Sequence, residues 1–341
     1  MLKISHLLSK LIRGSLVSLS IALPAVAESA VETYANHAAI GPYINELVSE
    51  HQLSREDLNR WFAAAEKKQS ILDAIARPAE KSKPWKDYRK IFVTESRTAK
   101  GLDFWRANEE ALNKAEATYG VPPEVVVAII GVETRYGSNT GRYRVIDALS
   151  TLAFDYPRRS KFFKKELTHF LLLAREQGQN PMDLKGSYAG AMGYGQFMPS
   201  SYREYAVDFD GDDLADIWLN PTDAIGSVAN YFKRHGWKTG EPVVTRARVS
   251  ADYDPAIMKA PLKPAVTLAS LNAKGVRAVE EHYATDQLAA PFRLEGDRGA
   301  EFWLGLQNFY VITRYNHSRM YALSVHQLSQ ALKQQYRAAQ N

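Results

Sequence analysis

A chain of 341 residues with 45% apolar and 24% charged side chains has the composition of a soluble globular protein of one large or two moderate domains. Its net charge of +5 suits an acidic polymer without demanding one, and no clustered Lys/Arg run marks a nucleic-acid footprint, so no nucleic-acid partner is expected. With no cysteine, disulfides are excluded and a core must hold the fold.

Lys3, Lys10 and Arg13 precede an apolar run from Leu16 to Leu23, then Pro24 and Ala25-Val26-Ala27. That is the pattern of a signal peptide over 1–27, and the run is short for a bilayer. No cysteine is there to take a lipid at the cleavage site, so a soluble exported protein without a lipid anchor is expected.

Residues 28–95 read as helices. Ser54 is an N-cap candidate for a helix carrying Leu58, Trp61, Phe62 and Ala65, and Pro78 and Pro84 break the pattern. Trp85, Tyr88 and Phe92 follow at helical spacing. On the residues alone they read first as core, and their alternative use is a platform for sugar rings. Residues 96–119 read as a further helix.

Val121 to Gly137 reads VPPEVVVAIIGVETRYG. Pro122 and Pro123 open a helix, and Gly137 closes it through the left-handed conformation. The segment is apolar almost all round, which predicts burial. Glu133 shares a face with Val126, Ile129 and Ile130. Water is partly stripped from an acid placed there, which favours its neutral form, and such an acid can protonate a leaving group. The same residue also suits an ion pair with Arg135 or another arginine.

Arg158 and Arg159 form the tip of a turn before an apolar helix ending near Gly178. They are either solvated surface or cations aimed into a cleft. Residues 186–201 read GSYAGAMGYGQFMPSS, where four glycines bring the backbone close to something. The spacing fits neither a phosphate loop nor a dinucleotide site. Gln196 offers both a donor and an acceptor, which suits an amide or hydroxyl ligand.

Asp208, Asp210, Asp212 and Asp216 fall at positions 1, 3, 5 and 9 of an EF-hand-like loop. Leu214 and Asp223 complete the candidate ligand set. The fit is imperfect: position 6 is Asp213 instead of Gly, and position 12 is Leu219 instead of Glu. Asp223 also fits the first turn of a helix that Asn220 caps. A structural calcium or a solvated acidic loop follows, and no cofactor is required for chemistry.

A helix over Pro221 to His235 precedes a change of texture. Residues 240–301 read as a small β-rich insert, with strands at Val243 to Val249, Val266 to Leu268 and Phe292 to Leu294. Helical texture returns from Phe302 to Arg314, and a last helix carries Val325, Leu328 and Leu332.

Glu133-Thr-Arg-Tyr-Gly, Tyr156-Pro-Arg-Arg, GSYAGAMGYGQFMPSSY, DFDGD…DIW…DAIGSVANYF and ITRYNHSRMYA together resemble the membrane-bound lytic murein transglycosylase B family and its soluble relatives. The likeness runs from about Tyr34 to the last helix. It implies a mainly α fold, with a lysozyme-like helical catalytic core over 96–239 and a helical flanking domain over 28–95. The β-rich insert would follow over 240–301, with a return to the core over 302–341. It implies a periplasmic enzyme that cleaves the MurNAc–GlcNAc bond of peptidoglycan without water, leaving 1,6-anhydro-MurNAc ends. Glu133 is then acid and base in turn. Ser187 and Gln196 are expected near that acid and the sugar amide, and Tyr231, Tyr315, Asn316 and Tyr321 along the cleft. Met198 packs at its wall, Tyr88 meets sugar from the flanking domain, and Arg158 and Arg159 meet the acidic lactyl-peptide portion. The partner implied is the glycan strand, bound by a monomer.

Overall fold

A computed structural model describes residues 31–77, 83–280 and 282–340, so the expected signal peptide and the break at Pro78 lie outside the described residues. The fold is built around one helix whose residues are buried except for Glu133. In chain order the helices before it are α1 (Ile40–His51), α2 (Arg55–Ala64), α3 (Gln69–Ala76), α4 (Trp85–Phe92), α5 (Glu95–Ala107) and α6 (Glu109–Tyr119). The central helix is α7 (Pro123–Thr134). Pro122 enters it in an extended conformation and Pro123 takes the first helical position, where a missing N–H is harmless. Val125 to Val132 are all buried, against α5, α6, α11 and α14.

The left-handed residue that ends α7 is Arg135 (φ 52°), followed by Tyr136 (φ 62°), so the helix stops before the Gly137 expected to close it. The Arg135 N–H returns to the Gly131 carbonyl at 3.2 Å and the Tyr136 N–H to the Ile130 carbonyl at 3.4 Å. A left-handed L-residue costs about 1–2 kcal/mol. Burying one valine or isoleucine side chain gains about 1.5–3 kcal/mol, and α7 buries six of them: Val125, Val126, Val127, Ile129, Ile130 and Val132. The strain at the turn is therefore easily offset.

The single helix expected over 96–119 is two. Asn108 leaves the helical conformation, and its Nδ2 donates to the Phe104 carbonyl at 2.8 Å. An asparagine side chain competes in this way with the backbone for its own carbonyls. Ser54 caps α2 as expected, accepting the Asp57 N–H at 3.2 Å.

After α7 come β1 (Tyr143–Arg144), α8 (Val145–Phe154), a 3₁₀ turn at Pro157–Arg159, α9 (Ser160–Glu176), β2 (Lys185–Gly186), α10 (Pro199–Tyr205) and α11 (Pro221–Arg234). The sheet region holds β3 (Val244–Val249), β4 (Val266–Thr267), α12 (Leu268–Ala273), β5 (Val276–Ala278), β6 (Leu288–Gly296) and β7 (Gly299–Gly305). The five strands are antiparallel in the order β4-β6-β7-β3-β5. Met258, Leu268, Leu271, Val276, Ala289, Leu304 and Leu306 make a small apolar cluster there.

Two expectations fail in this region. Leu268 starts a helix instead of ending a strand, because the Thr267 hydroxyl accepts the Ser270 N–H at 3.2 Å and caps it. Phe302 lies in β7, not at a helix start: the β6–β7 hairpin pairs Phe292 with Trp303 and carries the sheet on to Gly305. Only then does α13 (Gln307–Tyr315) begin, followed by α14 (Arg319–Ala338). The Asn308 side chain bonds the backbone of Lys238 and Glu241, and Phe292 stacks on Phe309 at 5.1 Å. The start of α13 is thereby fixed to the sheet and its far end, Tyr315, points to the core.

Candidate active site

Glu133 projects from the last turn of α7 and is half-buried. One of its partners comes from 188 residues away. Tyr321, 3% exposed in the first turn of α14, donates its hydroxyl to Glu133 Oε1 at 2.5 Å. The Ser318 hydroxyl caps α14 by accepting the Tyr321 N–H at 3.3 Å, which fixes where that phenol begins. Burial pushes the Tyr321 phenol well above its ordinary pKa, and the Glu133 charge adds to the effect. The hydroxyl therefore keeps its proton and stays a donor.

Tyr315 shows the same pattern: burial first, then Glu133, raises its pKa. Its hydroxyl donates to the Gly195 carbonyl at 2.5 Å, and its ring meets Tyr231 edge-on at 4.8 Å. Tyr231 in turn donates to the Arg314 carbonyl at 2.7 Å and stacks on His235 at 3.9 Å. Among the described residues, Glu133 is the only carboxylate whose charge acts on either Tyr315 or Tyr321.

The glycine-rich run lies against this group. The Thr134 hydroxyl, next to Glu133, reaches the Tyr194 carbonyl at 3.0 Å. Gly193 (φ 67°) passes so close to α11's entry loop that a Cβ would sit 2.3 Å from the Ile217 carbonyl oxygen. Gln196 holds a left-handed φ of 51°. Its Nε2 donates to the carbonyls of Thr140 at 3.1 Å and Gly193 at 3.0 Å. Both amide hydrogens are thus spent inside the protein, which orients the carboxamide and leaves Oε1 as the acceptor for a ligand. The Ser187 hydroxyl oxygen accepts the N–H groups of Ala189 at 3.3 Å and Ala191 at 3.0 Å, so its own hydrogen remains to be donated. Met198 is half-buried at the start of α10, and Asn316 is exposed just past α13.

Other sequence candidates stand differently. Trp85 and Tyr88, each 2% exposed, and Phe92 belong to the core and offer no ring face for a sugar. Tyr88 instead sits close enough for its charge to act on Tyr321. Arg158 and Arg159 are exposed, and the Arg159 guanidinium lies over the rings of Phe162 at 4.2 Å and Phe163 at 5.1 Å. Both of those rings stand on α9. Thr134 and Thr140 were missed by the sequence reading, although Thr134 stands inside the Glu-Thr-Arg-Tyr-Gly motif that signalled the acid.

The acidic loop forms a second constellation. Oxygens of Asp208, Asp210, Asp212 and Asp223 all lie within 4.8 Å of one another. Calcium–oxygen distances are about 2.3–2.6 Å, so opposite ligands stand about 4.6–5.2 Å apart and the cluster has a suitable size. Position 6 meets the left-handed demand without glycine, since Asp213 itself adopts φ 70°. Leu219 is 83% exposed and Asp216 turns away to accept the N–H groups of Trp218 and Leu219, so neither joins the four. Asp223 is fully buried and holds the N–H groups of Phe209 at 2.7 Å and Asp216 at 2.8 Å. Asn220 caps α11 while donating to Asp210 and Asp223. The Leu214 carbonyl accepts the Asp216 N–H at 3.1 Å and keeps a second lone pair.

A mainly helical body with a lysozyme-like core, carrying one protonatable acid at the end of a buried helix above a tyrosine-lined wall, defines a glycan-cleaving enzyme class. Comparison with known proteins agrees. Residues 36–330 match the transglycosylase SLT domain family. Membrane-bound lytic murein transglycosylase B of Escherichia coli is 44% identical over 308 residues, 88% of this chain and 84% of that protein. Soluble lytic transglycosylase SltB1 from Pseudomonas aeruginosa is 52% identical with a TM-score of 0.83, over 87% of this chain and 99% of that one. The Escherichia coli lytic transglycosylase Slt35 in complex with calcium is 44% identical with a TM-score of 0.81, over 89% of this chain and 95% of that one. The chain belongs to the SLT-domain transglycosylase family and is a lytic transglycosylase of peptidoglycan. Among the described residues no single helix is long and apolar enough to cross a membrane.

Proposed function

We propose that the protein breaks the MurNAc–GlcNAc β-1,4 bond without water, with Glu133 as acid and then as base. The observation that carries this is the Tyr321–Glu133 hydrogen bond at a site where, among the described residues, Glu133 is the carboxylate whose charge acts on Tyr315 and Tyr321. Two-carboxylate glycosidases need a partner acid about 5–9.5 Å away to attack the sugar or activate water. Here the nucleophile would be the sugar's own 6-hydroxyl. The C1–O4 bond breaks and the Glu133 proton goes to O4 of the leaving GlcNAc. O6 then bonds C1 and returns its proton to the Glu133 carboxylate, closing the 1,6-anhydro ring. Tyr321 stabilises the carboxylate between the two steps, and an intramolecular hydroxyl outcompetes water through its high effective molarity.

Gln196 Oε1 and the Ser187 hydroxyl would hold the acetamido group and a neighbouring hydroxyl. Tyr231, Tyr315, Asn316 and Met198 would line the cleft. Arg158 and Arg159 would meet the carboxylates of the stem peptide from its rim, and Tyr88 would support Tyr321. Asp208, Asp210, Asp212, Asp223 and the Leu214 carbonyl would hold a structural calcium that takes no part in chemistry, as the calcium complex of a relative suggests. The protein would act in cell-wall turnover as a periplasmic monomer, exported by its signal peptide and free of a lipid anchor. Mass spectrometry of digested peptidoglycan tests the reaction. Products lighter by one water than hydrolytic fragments support it, and reducing ends would replace it with a hydrolysing muramidase.

A further inference from the structure

One buried charge near the site has no use in the scheme above. Arg97, on α5, is 7% exposed, and among the described residues no carboxylate lies within ion-pairing distance of it. Burial lowers its pKa, and Arg135 lowers it further, yet a guanidinium stays charged at any physiological pH. Removing one such ion from water is costly unless it is paired, so an unpaired one needs a reason.

Its contacts supply one. Nη1 donates to the Gly131 carbonyl at 3.0 Å, one of the last carbonyls of α7 and two residues before Glu133. The Arg97 guanidinium also lies 5.3 Å from the Phe92 ring. The Arg97 carbonyl accepts the Tyr136 hydroxyl at 2.9 Å. Tyr136 fills a slot that exists because residue 131 is glycine: a Cβ there would lie 2.5 Å from its hydroxyl. The left-handed turn at Arg135 and Tyr136 is therefore gripped from α5 at both ends, by the arginine head and by its own carbonyl. A cation at the carbonyl end of a helix also opposes the partial negative charge there.

We infer that Arg97 is a positioning residue, whose buried guanidinium clamps the carbonyl end of α7 and so fixes the turn from which Glu133 projects. The inference rests on Glu133 being the proton donor. The charged and titratable groups described around this turn are Arg97, Arg135 and Tyr136 on one side and Glu133, Tyr88, Tyr315 and Tyr321 on the other.

The test compares Arg97→Met, Arg97→Lys and Glu133→Gln on soluble peptidoglycan fragments. Arg97→Met is expected to lower kcat about a hundredfold, the effect of a small misplacement of a catalytic group, with KM unchanged. Its Tm should not fall, since an unpaired buried charge is removed. Arg97→Lys should restore kcat to within about tenfold of the parent, keeping the charge but not the fork. Full kcat in Arg97→Met beside a dead Glu133→Gln overturns the inference alone, and so does a Tm that falls with kcat without lysine rescue. Turnover by Glu133→Gln overturns the reaction scheme itself.

Discussion

Two acidic regions of this molecule use carboxylates in opposite ways. At the end of α7 one carboxyl is set among phenols, half-buried, and accepts a short hydrogen bond from Tyr321. In the 208–223 loop, four carboxylates converge, three of them exposed, and backbone N–H groups hold several of their oxygens. The first arrangement sets one acid among neutral donors, as the proposed proton transfer requires. The second gathers charge that only a cation can balance, in a place where nothing needs to react. Chemistry and stability are therefore expected to separate cleanly when either region is altered.

The sharpest break is Glu133→Gln. Turnover should fall by about a thousandfold or more, the scale of a lost general acid, while Tm and glycan binding hold. Release of soluble fragments and a melting curve check both halves. Tyr321→Phe comes next. Losing one aimed donor costs about a hundredfold in kcat, with little change in KM, as steady-state kinetics on soluble fragments would show. Gln196→Ala probes binding at the rim of the same site. Losing the oriented Oε1 acceptor removes about 1 kcal/mol, roughly a fivefold rise in KM, with kcat nearly unchanged.

The loop should answer only in stability. Added calcium is expected to raise Tm by about 2–5 °C, the size of a few kcal/mol of binding linkage in a chain this large. Asp210→Asn should abolish that shift without touching turnover. The shift should also depend on pH in a defined direction. Burial raises the Asp223 pKa above the unfolded value, so its carboxylate stabilises least once pH exceeds that pKa, and a cation offsets the loss. Backbone N–H groups, Gly211 first, lower the Asp208 pKa, so its contribution disappears as pH falls. Both signs make the calcium effect largest near neutral pH and smallest in acid, which calorimetry across pH reads directly. Loss of turnover in Asp210→Asn would show that the two regions are coupled.

Local chemistry was legible from the residues alone. The two prolines and the unbroken apolar run marked α7, Ser54 and Asn220 declared themselves as caps, and the aspartate spacing outlined the loop. Those signals are short-range, since each depends on neighbours within a turn or two. Motif resemblance carried the rest of the functional expectation, including the choice of Glu133 as acid over Glu133 as ion-pair partner.

Sequence could not say which side chains would meet. Tyr321 stands 188 positions from its acid, and the Arg97 clamp joins α5 to the end of α7 across 34. Tyr88 read as a possible sugar platform until packing put it in the core. Strand β7 was hidden because Phe302 and Trp303 carry no period that separates a short strand from a helix, and only pairing with Phe292 settled it. A covalent neighbour is fixed by the chain, whereas a distant one is fixed by how buried surfaces close, and the surroundings of Glu133 are built from distant ones.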